Sequence, residues 1–207
     1  MTRLILIRHG QTQYHLENRY CGFSNPSLNE KGIWQSKMLL DRLSTIKVER
    51  VYSSDLKRAF ETTKIIFKDN FIEQLPDFRE MDFGVFEGLR YDDVVKIYPC
   101  FYKDWLTNPA GIKFPGGEAL EDLVKRVRKR LTLILSRHKG ERIALVTHGG
   151  PIRVILCDAL NYNPDSFWKV KQDIAALNII DYPQESPPII VKMNDISHLT
   201  LQETATI

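Results

Sequence analysis

Leu4 to Ile7 is an unbroken apolar run without alternation, which predicts a strand covered on both faces, as a parallel sheet under helices requires. The stretch 30–43 places Ile33, Leu39, Leu40 and Leu43 near helical spacing, and "ERVYSS" then reads as a second short strand. Ser54 is placed to cap the helix "DLKRAFETTKIIF", whose inner stripe holds Ala59, Thr62 and Ile66. Over 75–90 the period dissolves into a long loop, "LPDFREMDFGVFEGLR", rich in aromatics and carboxylates, and long loops in compact domains are often functional. Two short helices follow over 91–106, then the breaker-rich "TNPAGIKFPGGE" and a long helix over 118–138. "RIALVT" is a third buried strand, and "HGGPIRVILCDAL" turns at once into a helix with Pro151 in its first turn. "AALNIIDY" and "PPIIVKMN" predict two strands that finish the sheet. Strands alternating with helices define the α/β class, here a three-layer α/β/α sandwich with a mostly parallel central sheet. Such sheets bind ligands at the carboxyl ends of their strands, where Arg8-His9-Gly10 and His148-Gly149-Gly150 both fall.

Composition narrows the classes. A chain of 207 residues with 43% hydrophobic content is expected to form one domain, 1–207, with a helical and loop cap inserted at about 76–117. The 29 basic and 26 acidic residues leave a net charge of +3, too small to indicate a nucleic-acid partner. The densest basic stretch, "VKRVRKRL", has helical spacing and reads as a solvated face. Cys21, Cys100 and Cys157 are odd in number and far apart, which suits neither disulfides nor zinc and points to a reducing cytoplasm. Four apolar residues before Arg8 are too few for a signal-peptide core or a membrane span.

A buried strand that stops at a histidine presents the imidazole on a rigid support. The glycine after it lets backbone amides approach a ligand, and the helix opening at "HGGP" adds amides for an anion. Two blander arrangements stand beside this one. Either histidine can be hydrogen-bonded within its own loop, or both can ligate a metal with Glu80 or Asp82. Arg8 beside His9 opposes a divalent cation, so no metal and no cofactor are expected.

The blocks "LIRHGQT", "SSDLKRAFET", "REMDFGVFEG" and "LVTHGG", in this order, resemble the histidine phosphatase superfamily, which includes the cofactor-dependent phosphoglycerate mutases. The resemblance covers essentially the whole chain and implies the phosphoglycerate mutase-like fold. It implies that His9 is the nucleophile, that Arg8 and Arg58 hold phosphate oxygens, and that His148 with the Gly149 amide completes the phosphate site. Glu80 matches the family's proton donor; Asp82 and Glu87, which otherwise read as loop hydrogen-bonders, stand as substitutes. Asp55 reads as a first-turn residue favourable to the helix dipole.

The chain departs from the family in places. His15 stands where many relatives have a phosphate-touching asparagine, and either touches phosphate or faces solvent. "YCGFSNPSLNEKG" carries Asn25 in place of an aspartate, which weakens Ser24 and Asn25 as substrate contacts. His138 and His198 are expected at the surface. Few basic residues besides Arg79 and Arg90 accompany the loop, so a phosphatase is expected over a mutase, which needs cations for a second phosphate. Aromatics from Phe78 to Trp105 divide between core and a pocket for an aromatic or uncharged leaving group. Within the family, "VFEGLRYDDVVKIYP" and "FPGGEALEDLVKRV" resemble the α-ribazole phosphatases, so α-ribazole 5′-phosphate in cobalamin lower-ligand synthesis is the expected substrate. A broad-specificity sugar or small-metabolite phosphatase, a phosphoglycerate mutase and a non-catalytic phosphate binder remain alternatives. The expected partner is a small phosphorylated metabolite, with no membrane partner and a homodimer left open.

Overall fold

The computed structural model describes residues 1–202. Six strands, β1 (Thr2–Arg8), β2 (Arg50–Ser53), β3 (Ile72–Gln74), β4 (Arg142–Thr147), β5 (Leu177–Tyr182) and β6 (Ile189–Asp195), form one sheet in the order β3-β2-β4-β1-β5-β6. The pairs β3-β2, β2-β4 and β4-β1 are parallel; β5 runs against both β1 and β6, so it alone reverses direction. The sandwich with its mostly parallel sheet is as expected. The short edge strand β3 has too few residues to show a period in the sequence.

The chain places α1 (Gln13–Leu16), α2 (Glu30–Leu43), α3 (Lys57–Ile66), α4 (Tyr91–Ile97), α5 (Pro99–Thr107), α6 (Leu120–Arg137) and α7 (Gly149–Ala159) around this sheet. Alternate β1 residues serve opposite layers. Ile5 and Ile7 pack with Leu39 and Leu43 of α2 and Ala59 and Ile66 of α3, while Leu4 and Leu6 pack with Leu123 and Val127 of α6 and Ile152 and Ile155 of α7. Each fully buried aliphatic side chain contributes about 1.5–3 kcal/mol, so both faces of β1 anchor the strand whose end carries Arg8 and His9.

Ile33 is exposed, contrary to its place in the predicted inner stripe. The buried face of α2 is Gly32, Gln35, Ser36, Leu39 and Leu43 instead. A Cβ on Gly32 would lie 2.1 Å from the Gln11 carbonyl oxygen, so α2 approaches the loop after His9 more closely than an aliphatic stripe allows. Helix α3 begins later than expected, at Lys57, whose amide donates to Asn25 Oδ1. Between β3 and α6 lie two 3-10 turns (Pro76–Phe78 and Gly84–Phe86), α4, α5 and a further 3-10 turn (Pro109–Gly111). Phe78, Phe86, Trp105 and Phe114 hold this segment to the core. Among the described residues no helix is long and apolar enough to cross a membrane.

Candidate active site

The carboxyl ends of β1, β2 and β4 converge, and α3 and the loop after β3 close over them. His9 leaves β1 with its amide donating to Thr147 and its carbonyl accepting from Ala175, so backbone on both sides fixes it. The residue is 2% exposed. Nδ1 lies 2.6 Å from the Gly10 carbonyl, and Nε2 lies 3.2 Å from Nε of Arg58. A carbonyl only accepts and a guanidinium only donates, so the proton is assigned to Nδ1 and the lone pair to Nε2. The His148 ring stands edge-on at 4.9 Å and the His15 ring at 5.2 Å.

His148 is fully buried, with Nε2 2.8 Å from Ser54 Oγ. That hydroxyl accepts the Leu56 amide and is assigned as the donor to Nε2, which puts the His148 proton on Nδ1. Nδ1 of His148 and Nε of Arg8 are buried donors with no partner among the described residues. Two such donors beside a lone pair on His9 mark a place built for an anion. Ser54 therefore belongs to the candidate site at the end of β2. It does not cap α3 as expected, because the helix starts two residues later, with Leu56 at its N-cap, and Ser54 Oγ accepts only the Leu56 amide there. Asp55 does not lie in a helix turn: it forms a two-pronged ion pair with Arg79, which takes Arg79 out of substrate binding.

Arg58 is fully buried and commits four of its five donors. It bonds the carbonyls of Cys21, Gly22 and Ser24 as well as His9. This gives it a second task beyond the expected grip on phosphate, that of shaping the loop 21–24. Glu87 holds the same loop by accepting from the amides of Gly22, Phe23 and Ser24, and Asp82 accepts from the Gly84 amide. Both carboxylates are loop hydrogen-bonders, and Ser24 and Asn25 are likewise engaged with the protein. His15 turns inward and pairs with Thr12 Oγ1 at 2.7 Å.

Glu80 reaches the amino end of α7, where both carboxylate oxygens accept from the Gly150 amide at 3.0 and 3.1 Å. A Cβ on Gly150 would lie 2.2 Å from Glu80 Oε1, so glycine is required for that approach. Arg126 of α6 braces the loop from behind: its five donors reach the carbonyls of Asp77, Arg79 and Glu80 and the Glu118 carboxylate. Glu118 in turn accepts from the Asp82 amide. Nothing in the spacing of "REMDFG" announced this brace, because its two halves are about forty residues apart in the chain. Sequence reasoning also missed Arg153, which lies close to Gly149 and Arg8. Its position four residues after Gly149, on the face of α7 that opens the site, was the available signal. Of the other histidines, His198 is buried, and His138 is mostly buried with Nε2 2.7 Å from Tyr52 Oη; neither is a surface residue. Among the described residues no group of three or more His, Cys, Asp or Glu side chains is placed to hold a metal ion.

Burial, then the charge of Arg58, holds the pKa of both His9 and His148 well below the ordinary histidine value. Burial and Arg8 bring His15 down to about 3. Unfolded, these rings take up protons near pH 6.5; folded, they resist them. The stability this contributes is complete above pH 6.5 and is lost as pH falls toward the folded values. Each of His9 and His148 then costs at most about 1.4 kcal/mol per pH unit. The expected result is a Tm that falls between pH 7 and pH 5 in thermal unfolding; a flat or rising Tm contradicts neutral burial.

The histidine phosphatase superfamily (branch 1) matches residues 4–196. Phosphoserine phosphatase 1 of Hydrogenobacter thermophilus is 32% identical over 201 residues, covering 96% of this chain and 95% of the relative. A metal-independent phosphoserine phosphatase of Arabidopsis thaliana is 33% identical over 207 residues, covering 97% of this chain and 84% of the relative. The crystal structure of the α-ribazole phosphatase from Shigella flexneri shares the fold, with a TM-score of 0.85 at 24% identity over 93% of this chain and 96% of its own. The chain belongs to the histidine phosphatase superfamily and is a phosphatase.

Proposed function

We propose that the chain hydrolyses phosphate monoesters through a phosphohistidine on His9, without a metal ion. The observation that carries this reading is the pair of bonds that leaves the His9 lone pair on Nε2, facing Arg58. In the first step Nε2 bonds to phosphorus and the P–O bond to the alcohol breaks. Glu80, protonated for this step, gives its proton to the departing oxygen. In the second, water bonds to phosphorus, its proton passes to the Glu80 carboxylate, and the P–N bond breaks to free His9 and phosphate. Arg8, Arg58 and the Nδ1–H of His148 stabilise the equatorial oxygens throughout, with the Gly149 amide and His15 at the edge of the same pocket. The segment 76–117 serves as the cap that carries Glu80 and walls the alcohol side.

Two alcohols each have an observation in their favour. A cavity of about 250 Å³, lined by Tyr20, Phe83, Tyr91, Tyr102, Trp105 and Trp168, suits the flat ring of α-ribazole 5′-phosphate. Tyr91 lies on the side toward the site: burial raises its hydroxyl pKa, with smaller, opposing influences from Arg8 and Glu80. Phosphoserine is favoured by the two relatives that carry its name. The test is phosphate release from a panel of monoesters, with α-ribazole 5′-phosphate, phosphoserine and sugar phosphates ranked by kcat/KM. Activity is expected to persist in excess EDTA. Loss with chelator and recovery with a divalent ion overturns the metal-free route, and transfer stimulated by bisphosphoglycerate without release points to a mutase.

A further inference from the structure

A third guanidinium joins those of Arg8 and Arg58 near the phosphate pocket. Arg153 is pinned by a bond from Nε to the Val170 carbonyl at 3.0 Å, and its Cζ stands 5.4 and 5.0 Å from the ring centroids of Phe167 and Trp168. These contacts fix its plane and leave its two terminal nitrogens without a hydrogen bond among the described residues. Nor does any described carboxylate lie within ion-pair distance of it. Its Nη1 lies 2.9 Å from the point a Cβ on Gly149 would occupy, and Arg8 Cζ lies 3.5 Å from that same point. Two guanidiniums thus converge at the rim of the pocket. Glu80, held on the Gly150 amide, acts on both, but among the described residues no carboxylate pairs with either, an arrangement that burial makes costly. Burial and the charge of Arg8 lower the Arg153 pKa to about 10.

The position is as telling as the charge. Trp168, which Arg153 covers, also walls the aromatic cavity, so Arg153 stands where the phosphate pocket opens toward the alcohol half of a substrate. Of the other arginines around the loop, Arg79 and Arg126 are consumed by Asp55 and Glu118, and Arg90 is exposed at its far end. One free fork matches the two oxygens of a carboxylate; a second phosphate would call for more cations than remain.

We propose that Arg153 receives a carboxylate on the alcohol half, so that the preferred substrates are phosphate monoesters of small hydroxy acids of the phosphoserine type. This rests on the phosphatase reading and decides between its two alcohols, because α-ribazole 5′-phosphate carries no second anion and would leave Arg153 unpaired.

Two ester pairs differ by the carboxylate: phosphoserine against phosphoethanolamine, and 3-phosphoglycerate against glycerol 3-phosphate. The wild-type enzyme is expected to favour the carboxylate member of each pair, and Arg153→Gln to reduce that kcat/KM ratio by about 10–100-fold, the size of a lost charge-assisted bond. Arg153→Lys, which keeps the charge and most of the stem, should fall between. Equal losses on both members, or no wild-type preference, overturn the proposal. Calorimetric titration of His9→Ala with phosphoserine and phosphoethanolamine reads binding without turnover. Tighter binding of phosphoserine that disappears in His9→Ala/Arg153→Gln supports the proposal; equal binding overturns it. If no ester is hydrolysed, the phosphatase reading fails while this binding arm still decides the role of Arg153.

Discussion

Replacing His9 with alanine is expected to lower kcat on every monoester by roughly 10⁵-fold or more, on the scale seen when a covalent nucleophile is removed. No other group can take its place. His148 has its Nε2 tied to Ser54, and His15 has its Nδ1 tied to Thr12. The same substitution should abolish an acid-labile, base-stable phosphoenzyme that the wild-type protein forms when mixed with labelled substrate and quenched. The fold should survive, because His9 is held through its backbone and contributes little apolar burial. A variant that keeps a tenth of the activity, or still forms the phosphoenzyme, removes His9 from the nucleophile's role.

Glu80→Gln is expected to cost about 10²–10⁴-fold on alkyl phosphates, the usual worth of a general acid. On an aryl phosphate, whose leaving group needs little protonation, the loss should be much smaller. Glutamine keeps the shape and can still accept from the Gly150 amide, so the loop should stay in place and KM change little. The comparison of the two ester classes at one pH is the measurement. Equal losses on both would take the proton-donor role away from Glu80 and leave it as a partner of the α7 amino end.

Much of the site was legible because its main signals are local. An apolar strand running into Arg8-His9-Gly10, and another into His148-Gly149-Gly150, each place a histidine at a sheet edge within a few residues. What was misread required partners distant in sequence. Asp55 looked like a helix residue until Arg79 was beside it, and His198 looked exposed until the fold covered it. Arg153 is one more polar residue on a helix until α7 is docked and its neighbours prove to be Arg8, Phe167 and Trp168.

The order of hydrophobic runs by itself determined the α/β class, the sheet's working edge and the two histidines aimed from it, since these follow from local periodicity and from the rule that strand ends gather. Only the tertiary structure decided the state of each group. It put the lone pair of His9 on Nε2 by opposing Arg58 and the Gly10 carbonyl, and it spent the charges of Arg79 and Arg126 on Asp55 and Glu118. It also left Arg153 at the pocket's rim without an ion pair among the described residues. Protonation and pairing depend on burial and on neighbours within a few ångströms, and such neighbours come from segments that the chain holds far apart.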